Sequence, residues 1–359
     1  MKRVLIAPLA YKGTMSARRV AAAMARGACS AASGSTCSLS RDIAPFADGG
    51  DGSVDALVAS GWERVTVSTR GADGTPGTAS IATSGAVVAV EIANACGLAR
   101  HLPRPLDPLG ASSAGLGDAI LAALDLDPAT VIVFLGGSAS TDGGRGMLEA
   151  LGARVDETGI SIGSLDPRCF VTRFVAATDV TSPLLGDSGA AHVFAPQKGA
   201  DPAQVDELEE RMGAWADALA TATGVDARAW PGSGAAGGVG LALMAALGAQ
   251  RESGAELLAR ELQLDARIAA ADIVLTGEGS LDAQSLLGKG AVNLADRAHA
   301  LGVPVAMVCG RMSITPEELR AHGVASARSL TQLDADRAMS DAPAMAQAAA
   351  ASAVAELLA

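Results

Sequence analysis

Aromatic side chains are scarce in this sequence of 359 residues, at 3% of the total, while 42 residues are glycine. We therefore expect an interior filled by aliphatic side chains and by close packing of helices and strands. No segment approaches the ~20 apolar residues of a membrane-spanning helix. The apolar run at residues 4–7 is too short for a signal peptide and is interrupted by Pro8. These absences predict a cytoplasmic protein with no membrane partner.

Cysteine is also sparse, since the five cysteines are odd in number, widely scattered and form no CxxC pair. This pattern fits reduced thiols rather than a disulfide framework or a zinc site. The net charge of −12 repels phosphate backbones and anionic lipids, which argues against nucleic acid or a membrane surface as a partner. A small anionic substrate would therefore need a local group of cations.

Lysine is the rarest of the charged residues, because only Lys2, Lys12, Lys198 and Lys289 occur among the 27 basic residues. A lysine retained in such an arginine-rich background suggests that a compact point charge is needed. Three of the four lie in the glycine-rich segments described below. The alternative interpretation is chance on a solvated surface.

Short apolar runs at residues 3–7, 130–135, 272–276 and 304–309 each precede an alanine-rich helical pattern. Alternating strands and helices indicate an α/β fold with parallel strands, whose functional loops follow the strands' carboxyl ends. The segments at 62–69, 78–83 and 87–92 instead suggest antiparallel strands joined by glycine-containing turns. We therefore predict one domain from residues 1–70 and 268–359, with a second α/β domain inserted at 71–267.

The first candidate site loop, PFADGGDGS at residues 45–53, combines two carboxylates with three glycines. Gly49 and Gly50 could let the backbone present N–H groups to phosphate, and Asp48 or Asp51 could hold Mg²⁺. The alternative interpretation is an ordinary Asx turn.

The second loop, LGGSASTDGGRG at residues 135–146, follows a clear strand pattern. Gly136, Gly137 and Ser138 suit an anion-binding loop that leads into a helix N-terminus. Asp142 could act as a base or as a metal ligand. A flexible linker is the alternative, but a linker is unusual between a strand and a helix.

Three further segments carry candidate polar groups. Asp179 follows an apolar strand, where a carboxylate is unusual unless the strand end exposes it for use, and Lys198 lies in the polar turn FAPQKG at 194–199. The segment TGEGSLDAQS at 276–285 brings Gly277, Glu278 and Asp282 close in sequence to Lys289, which suits a metal–phosphate site. No GxxxxGK[ST] motif is present, so the sequence is not that of a P-loop protein.

A GxGxxG pattern occurs at residues 232–237, inside PGSGAAGGVG. The dinucleotide fingerprint requires a strand directly before the first glycine. Residues 229–231 (AWP) are incompatible with such a strand, so we reject an NAD-binding role.

Ten segments in the same order along the chain resemble those of the type I bacterial glycerate kinases. They are APLAYKG (7–13), ADGGDGS (47–53), EIANACG (91–97), DPL (107–109), LGGSASTDGGRGM (135–147), DVTSPLLGDSGA (179–190), PQKGA (196–200), PGSGAAGGVG (231–240), LTGEGSLDAQS (275–285) and GK (288–289). The resemblance implies ATP- and Mg²⁺-dependent phosphorylation of D-glycerate at the 2-hydroxyl. It also implies a cleft between a discontinuous Rossmann-like domain and an inserted mixed α/β domain.

Together with the residue types, the resemblance gives three groups of candidate site residues. The catalytic candidates are Asp179, Lys198, Asp142 and Lys12; the cofactor-binding candidates are Gly49, Gly50, Gly136, Gly137, Ser138, Gly277, Glu278 and Lys289; the metal-binding candidates are Asp48, Asp51 and Asp282. The expected assembly is a monomer or a homodimer.

The sequence departs from the family pattern at several positions of these loops. Leu9 and Ala10 replace an Asp-Ser pair, and Ala114 and Ser280 each replace an arginine. Arginine pairs with carboxylate through two hydrogen bonds, which Ala or Ser cannot replace. Either other arginines (Arg145, Arg311) compensate, or the kinase acts on a different hydroxylated molecule. A third hypothesis is a catalytically weakened protein that binds a ligand.

Overall fold

The computed structural model describes residues 1–33, 38–101, 105–157, 159–283, 285–287 and 290–359. The chain divides into two compact units. The first unit comprises Met1–Asp48, Asp55–Ser60 and Leu258–Ala359, and the second comprises Gly49–Val54 and Gly61–Leu257. In the described residues, no helix is both long and apolar enough to cross a membrane.

Strands and helices alternate along most of the chain. The strands are β1 (Lys2–Ile6), β2 (Leu39–Ile43), β3 (Glu63–Arg70), β4 (Pro76–Ser84), β5 (Val87–Glu91), β6 (Thr130–Phe134), β7 (Arg154–Asp156), β8 (Gly159–Ser161), β9 (Arg173–Ala177), β10 (Gln250–Glu252), β11 (Ile273–Thr276), β12 (Ser280–Leu281), β13 (Val305–Cys309), β14 (Arg311–Met312) and β15 (Val324–Ser329). The α-helices are α1 (Ala17–Ser33), α2 (Ser53–Ala59), α3 (Ile92–Cys96), α4 (Leu98–His101), α5 (Ala114–Leu124), α6 (Arg145–Ala150), α7 (Ala190–Phe194), α8 (Pro202–Thr223), α9 (Ala235–Ala246), α10 (Gly254–Glu261), α11 (Leu264–Ala269), α12 (Gly290–Ala300), α13 (Pro316–Arg320), α14 (Leu330–Leu333), α15 (Arg337–Ser340) and α16 (Ala342–Leu358).

The first unit is built on a five-stranded parallel sheet in the order β15-β13-β11-β1-β2. Helices α1 and α16 contribute alanine-rich faces to its core. A Cβ atom at Gly27 of α1 would lie 2.2 Å from the carbonyl oxygen of Gln347 in α16, so these helices pack almost backbone to backbone. This contact confirms the expectation that small residues and close packing replace aromatic side chains.

The second unit contains a six-stranded mixed sheet in the order β10-β9-β6-β5-β4-β3. Strands β3, β4 and β5 pair antiparallel, and the pairs from β5 through β6 and β9 to β10 are parallel. Strand β6 is almost wholly apolar and is buried from Val131 onward, as a parallel strand covered on both faces must be. The carboxyl ends of β6, β9 and β10 therefore lie along one edge of the sheet.

The predicted fold class is confirmed, because a parallel α/β sheet and a mixed sheet are both present. Ser16 accepts a hydrogen bond from the backbone N–H of Arg19 at the start of α1, and Pro316 occupies the first position of α13.

The predicted boundary near residue 70 differs from the observed division. Strand β3 pairs along its whole length with β4, so it belongs to the second unit. The segment Gly49–Val54 also lies in the second unit, and Leu258–Ala269 lies in the first. Cross-strand pairing is a long-range property that local composition does not encode. The organisation into a discontinuous domain and an inserted domain stays a prediction.

Candidate functional site

Two glycine-rich loops of the second unit meet at the carboxyl end of β6. A Cβ atom at Gly136 would lie 2.5 Å from the Cα of Gly50, and one at Gly49 would lie 2.3 Å from the Cα of Gly254. Asp51 is exposed beside Gly137, whose added Cβ would lie 3.7 Å from that of Asp51. Glycine is required here because two backbones approach each other within van der Waals contact. The predicted residues Gly49, Gly50, Asp51, Gly136 and Gly137 thus come together.

Glu91 holds the first of these loops in place from the end of β5. Its Oε1 accepts the N–H of Gly52 and its Oε2 accepts the N–H of Val54, both at 2.9 Å. The residue is only 3% exposed. Its part in organising residues 49–54 was not predicted, because nothing local in the sequence pairs the end of β5 with a loop some forty residues earlier.

Asp142 organises the second loop through four hydrogen bonds. Its carboxylate accepts the N–H and the hydroxyl of Ser113, both at 2.8 Å, and the N–H groups of Gly144 and Gly146 at 3.1 and 3.2 Å. Ser113 is fully buried. These contacts direct the carboxylate into the loop that begins α6.

Lys198 is buried, with 2% of its surface exposed. Its ammonium donates to the hydroxyl of Ser138 at 3.0 Å and to the carbonyl oxygen of Ser140. Burial lowers the pKa of Lys198 from 10.5 to about 8, although the neighbouring carboxylate of Asp142 opposes this shift. The hydroxyls of Ser140 and Thr141 beside it are buried without a partner in the described chain. Lys198 therefore joins the turn at 196–199 to the loop that carries Ser138.

Asp179 lies two residues beyond the end of β9 and is exposed. One oxygen accepts the hydroxyl hydrogen of Ser253 and the other accepts the N–H of Ala255 at 3.1 Å. Both partners follow β10, the neighbouring strand. The carboxylate is thus fixed in orientation at the sheet edge while remaining accessible to solvent.

The GxGxxG segment is not preceded by a strand, since residues 228–234 form turns and a bend. The rejection of a dinucleotide site is consistent with this geometry. Three consecutive residues, Ala236, Gly237 and Gly238, have left-handed backbone conformations inside α9. A Cβ atom at Gly237 would lie 2.1 Å from the carbonyl oxygen of Ser140, so this segment packs tightly against the second loop.

In the first unit, Gly277 follows β11 with φ +155°. A Cβ atom there would lie 1.6 Å from the carbonyl oxygen of Val308 in β13, which only glycine avoids. The backbone of Leu9 donates to the carbonyl of Gly277 at 2.8 Å. The loops after β1 and β11 are thereby joined.

Glu278 is the most perturbed carboxylate of this unit. Burial and the nearby carboxylate of Asp48 raise its pKa from 4.5 to about 7, with a smaller contribution from Asp282. The side chain accepts hydrogen bonds from Ser285 and from the N–H of Ala291 near the start of α12. Its Oε1 is buried without a partner among the described residues. The charges of Asp48 and Asp282 therefore both act on the Glu278 carboxylate.

The remaining candidates are placed as follows. Lys12 is exposed, and a Cβ atom at Gly279 would lie 3.1 Å from its backbone nitrogen. Lys289 lies outside the described residues. Arg145 donates to Glu149 at 2.9 Å, and Arg311 is exposed and donates to Ser280 at 3.3 Å. Both arginines that could compensate for Ala114 and Ser280 thus already have a protein partner.

Comparison with known proteins places these loops in a defined context. The profile of the glycerate kinase family matches residues 4–359. The chain is 37% identical over 350 residues to the glycerate 2-kinase of Escherichia coli (strain K12), covering 90% of this chain and 88% of that protein. It is 35% identical over 349 residues to a glycerate kinase of Halalkalibacterium halodurans, covering 92% and 91%. A Salmonella typhimurium LT2 crystal structure, provisionally described as glycerate kinase 2, superposes with a TM-score of 0.82 at 35% identity, covering 99% of this chain and 98% of that one.

Proposed function

The chain belongs to the glycerate kinase family, and from this premise we propose that it transfers the γ-phosphoryl group of ATP to the 2-hydroxyl of D-glycerate. One structural observation supports this most directly: Asp179 presents an oriented, exposed carboxylate beyond the carboxyl end of β9, among the parallel strands of the mixed sheet. Phosphoryl transfer to an alcohol requires such a group to accept the hydroxyl proton.

The proposed reaction has a single displacement. The substrate's 2-hydroxyl oxygen forms a bond to the γ-phosphorus, and the bond from that phosphorus to the β–γ bridging oxygen breaks. The hydroxyl proton passes to the carboxylate of Asp179, and ADP leaves with the bridging oxygen. Since Ser253 and Ala255 both donate to this carboxylate, its position is fixed before the substrate arrives.

We assign phosphate binding to the glycine-rich loops. In the second unit, the backbone N–H groups of residues 49–50 and 136–138 would face the phosphates, and Ser138 is held by Lys198. In the first unit, Gly277 and Glu278 are candidates from the loop after β11, with Lys289 from sequence. Lys12, an exposed lysine of the first unit, stays a candidate phosphate-binding cation from sequence. Asp142 and Lys198 would keep the second loop in its binding conformation.

We assign magnesium binding to carboxylates of the first unit. Among the described residues, no group of three His, Cys, Asp or Glu side chains forms a ready-made metal cluster. Mg²⁺ bound with nucleotides, however, usually needs only one or two protein carboxylates. Burial, and after it the carboxylates of Asp48 and Asp282, raise the pKa of Glu278, whose Oε1 has no partner in the described chain. A cation would relieve the repulsion among these charges. Asp48 and Asp282 would hold the ion, which would neutralise charge on the β- and γ-phosphates; Asp51 of the second unit stays a candidate ligand from sequence.

A cytoplasmic location is part of the proposal. The four described cysteines, Cys29, Cys96, Cys169 and Cys309, form no disulfide, as expected in a reducing compartment.

The experiment is a coupled assay of ADP release with a panel of hydroxy acids and polyols. We expect turnover with D-glycerate at ~1–100 s⁻¹, the usual range of kinases, and much slower turnover with glycerol. Turnover only with another alcohol would show that this alcohol, and not D-glycerate, is the substrate. An absence of turnover with every compound, together with ligand-induced thermal stabilisation, would instead indicate a binding protein.

A further inference from the structure

Arg251 lies in β10, the edge strand next to the strand that precedes Asp179. Strand β10 runs parallel to β9, with Arg251 opposite Ala176. The two groups that hold the Asp179 carboxylate come from residues 253 and 255, directly after this strand. Arg251 therefore lies near the carboxyl end of the strand that neighbours β9, the strand directly before the proposed base.

Arg251 differs from every other half-buried arginine of the described chain. Six described arginines are half-buried, and five of them form ion pairs with carboxylates: Arg168, Arg228, Arg267, Arg297 and Arg328. Arg251 forms no ion pair or hydrogen bond with any described residue, and its Nε is buried without an acceptor. The residues outside the described ranges include no Asp or Glu, so the chain supplies no hidden carboxylate partner there.

The side chain is held by packing rather than by charge. A Cβ atom at Gly232 would lie 2.9 Å from Cδ and 3.1 Å from Nε of Arg251, and 3.2 Å from the carbonyl oxygen of Val180. Gly232 has φ +87°, a left-handed conformation that other residues rarely adopt. A side chain at this position is therefore disfavoured both by the backbone conformation and by the lack of space. The first glycine of the GxGxxG pattern thus makes room for the Arg251 stem beside the residue that follows Asp179.

An unpaired guanidinium that is partly removed from water is unfavourable unless an anion joins it. In a chain of net charge −12, a small anionic substrate also requires a local cation. The guanidinium matches a carboxylate with two parallel hydrogen bonds. Ala114 and Ser280 cannot supply that group, and Arg145 and Arg311 already have partners.

We propose that Arg251 binds the carboxylate of the hydroxy-acid substrate and thereby directs the adjacent hydroxyl toward Asp179. This assignment rests on the proposed function, because it names the residue that binds the carboxylate of that reaction's substrate. Nucleotide phosphate is a second anion that a guanidinium could bind, and the kinetic test separates the two.

The test compares Arg251→Gln and Arg251→Lys with the wild-type enzyme in the coupled assay. We expect the KM for D-glycerate to rise by about 10- to 100-fold in Arg251→Gln, which is the usual effect of losing a charged bidentate contact, while the KM for ATP stays within about 2-fold. The KM for D-glycerate of Arg251→Lys should lie between those of the wild type and Arg251→Gln. An ammonium keeps the positive charge but cannot form the two parallel hydrogen bonds of a guanidinium. Turnover of glycerol, which has no carboxylate, should be equal in Arg251→Gln and the wild type.

The matched control is Arg173→Gln, on the neighbouring strand, where the exposed guanidinium bonds to Gln250 at 3.0 Å. This variant should leave the KM for D-glycerate and the KM for ATP unchanged. Circular dichroism and melting curves show whether each variant is folded; if Arg251→Gln is unfolded, Arg251→Lys and its glycerate-induced thermal shift decide the question.

An increase in the KM for ATP with no change for glycerate would overturn the carboxylate assignment in favour of phosphate. Unchanged kinetics in folded Arg251 variants would overturn it altogether. If the wild-type enzyme itself does not use D-glycerate, the proposed function fails first, and the assignment fails with it.

Discussion

The ammonium of Lys198 donates a hydrogen bond to the hydroxyl of Ser138 at 3.0 Å, joining two loops that are 60 residues apart in sequence. A buried lysine of this kind affects stability through its proton. Burial lowers its pKa from 10.5 to about 8, whereas the unfolded chain keeps the proton up to the ordinary value. Between these values the unfolded state binds more protons, so the free energy of unfolding rises with pH.

Lys198→Met removes this dependence. The difference in unfolding free energy, wild type minus variant, should rise from pH 7.5 to pH 10, by up to about 3 kcal/mol at about 1.4 kcal/mol per pKa unit. Urea denaturation at a series of pH values measures it. A difference that stays flat across this range would show that the ammonium is solvated rather than buried.

Glu91→Gln should loosen the loop at residues 49–54. The carboxylate accepts two backbone N–H groups, and a glutamine amide can accept only one while its NH₂ faces the other. We expect a loss of about 1–3 kcal/mol in the free energy of unfolding, together with a higher KM for ATP. Glu63→Gln, at an exposed position of β3, is the control and should change neither. If the Glu91→Gln enzyme is destabilised but its KM for ATP is unchanged, the loop at residues 49–54 does not contribute to nucleotide binding.

Asp179→Asn removes the proposed base without changing the size of the side chain. We expect kcat to fall by about 10²- to 10⁴-fold, the usual contribution of general base catalysis, with a small change in the KM for D-glycerate. Asp127→Asn, an exposed residue with φ +52° that Asn readily adopts, is the control. A kcat near the wild-type value would remove Asp179 from the reaction.

Glu278 should make the first unit less stable as pH rises. Its pKa of about 7 lies above the ordinary 4.5, so its contribution to stability is complete below pH 4.5 and is lost as pH rises through 7. Glu278→Gln stays neutral throughout and should gain stability relative to the wild type over this interval. Melting curves in EDTA, at pH 5 to 8, measure this trend. A relative stability that does not change with pH would contradict the burial of this carboxylate.

The sequence predicted the parts of this molecule that depend on local pattern. Apolar runs located β6 and β11. The glycine-rich loops could be recognised because glycine reports a local need for close backbone approach, as between Gly50 and Gly136.

Relationships that depend on tertiary contact could not be predicted in the same way. Glu91 and Arg251 each lie in an ordinary strand sequence, and their significance comes from what surrounds them. Glu91 meets a loop about 40 residues away, and Arg251 is unusual only because no described carboxylate reaches it. Burial of Lys198 is likewise invisible in a turn that reads as polar. The pairing of β3 with β4 places β3 in the second unit, whereas local pattern put the predicted domain boundary near residue 70.

The most direct test of the account is the proton-coupled ³¹P NMR spectrum of the product formed from D-glycerate, ATP and Mg²⁺. Transfer to the 2-hydroxyl places phosphate on a CH group, so the account predicts a new phosphate monoester doublet together with ADP, lost in Asp179→Asn. A triplet from phosphate on a CH₂ group would contradict the assigned position. The release of inorganic phosphate alone, with no phosphate ester, would contradict kinase activity toward glycerate.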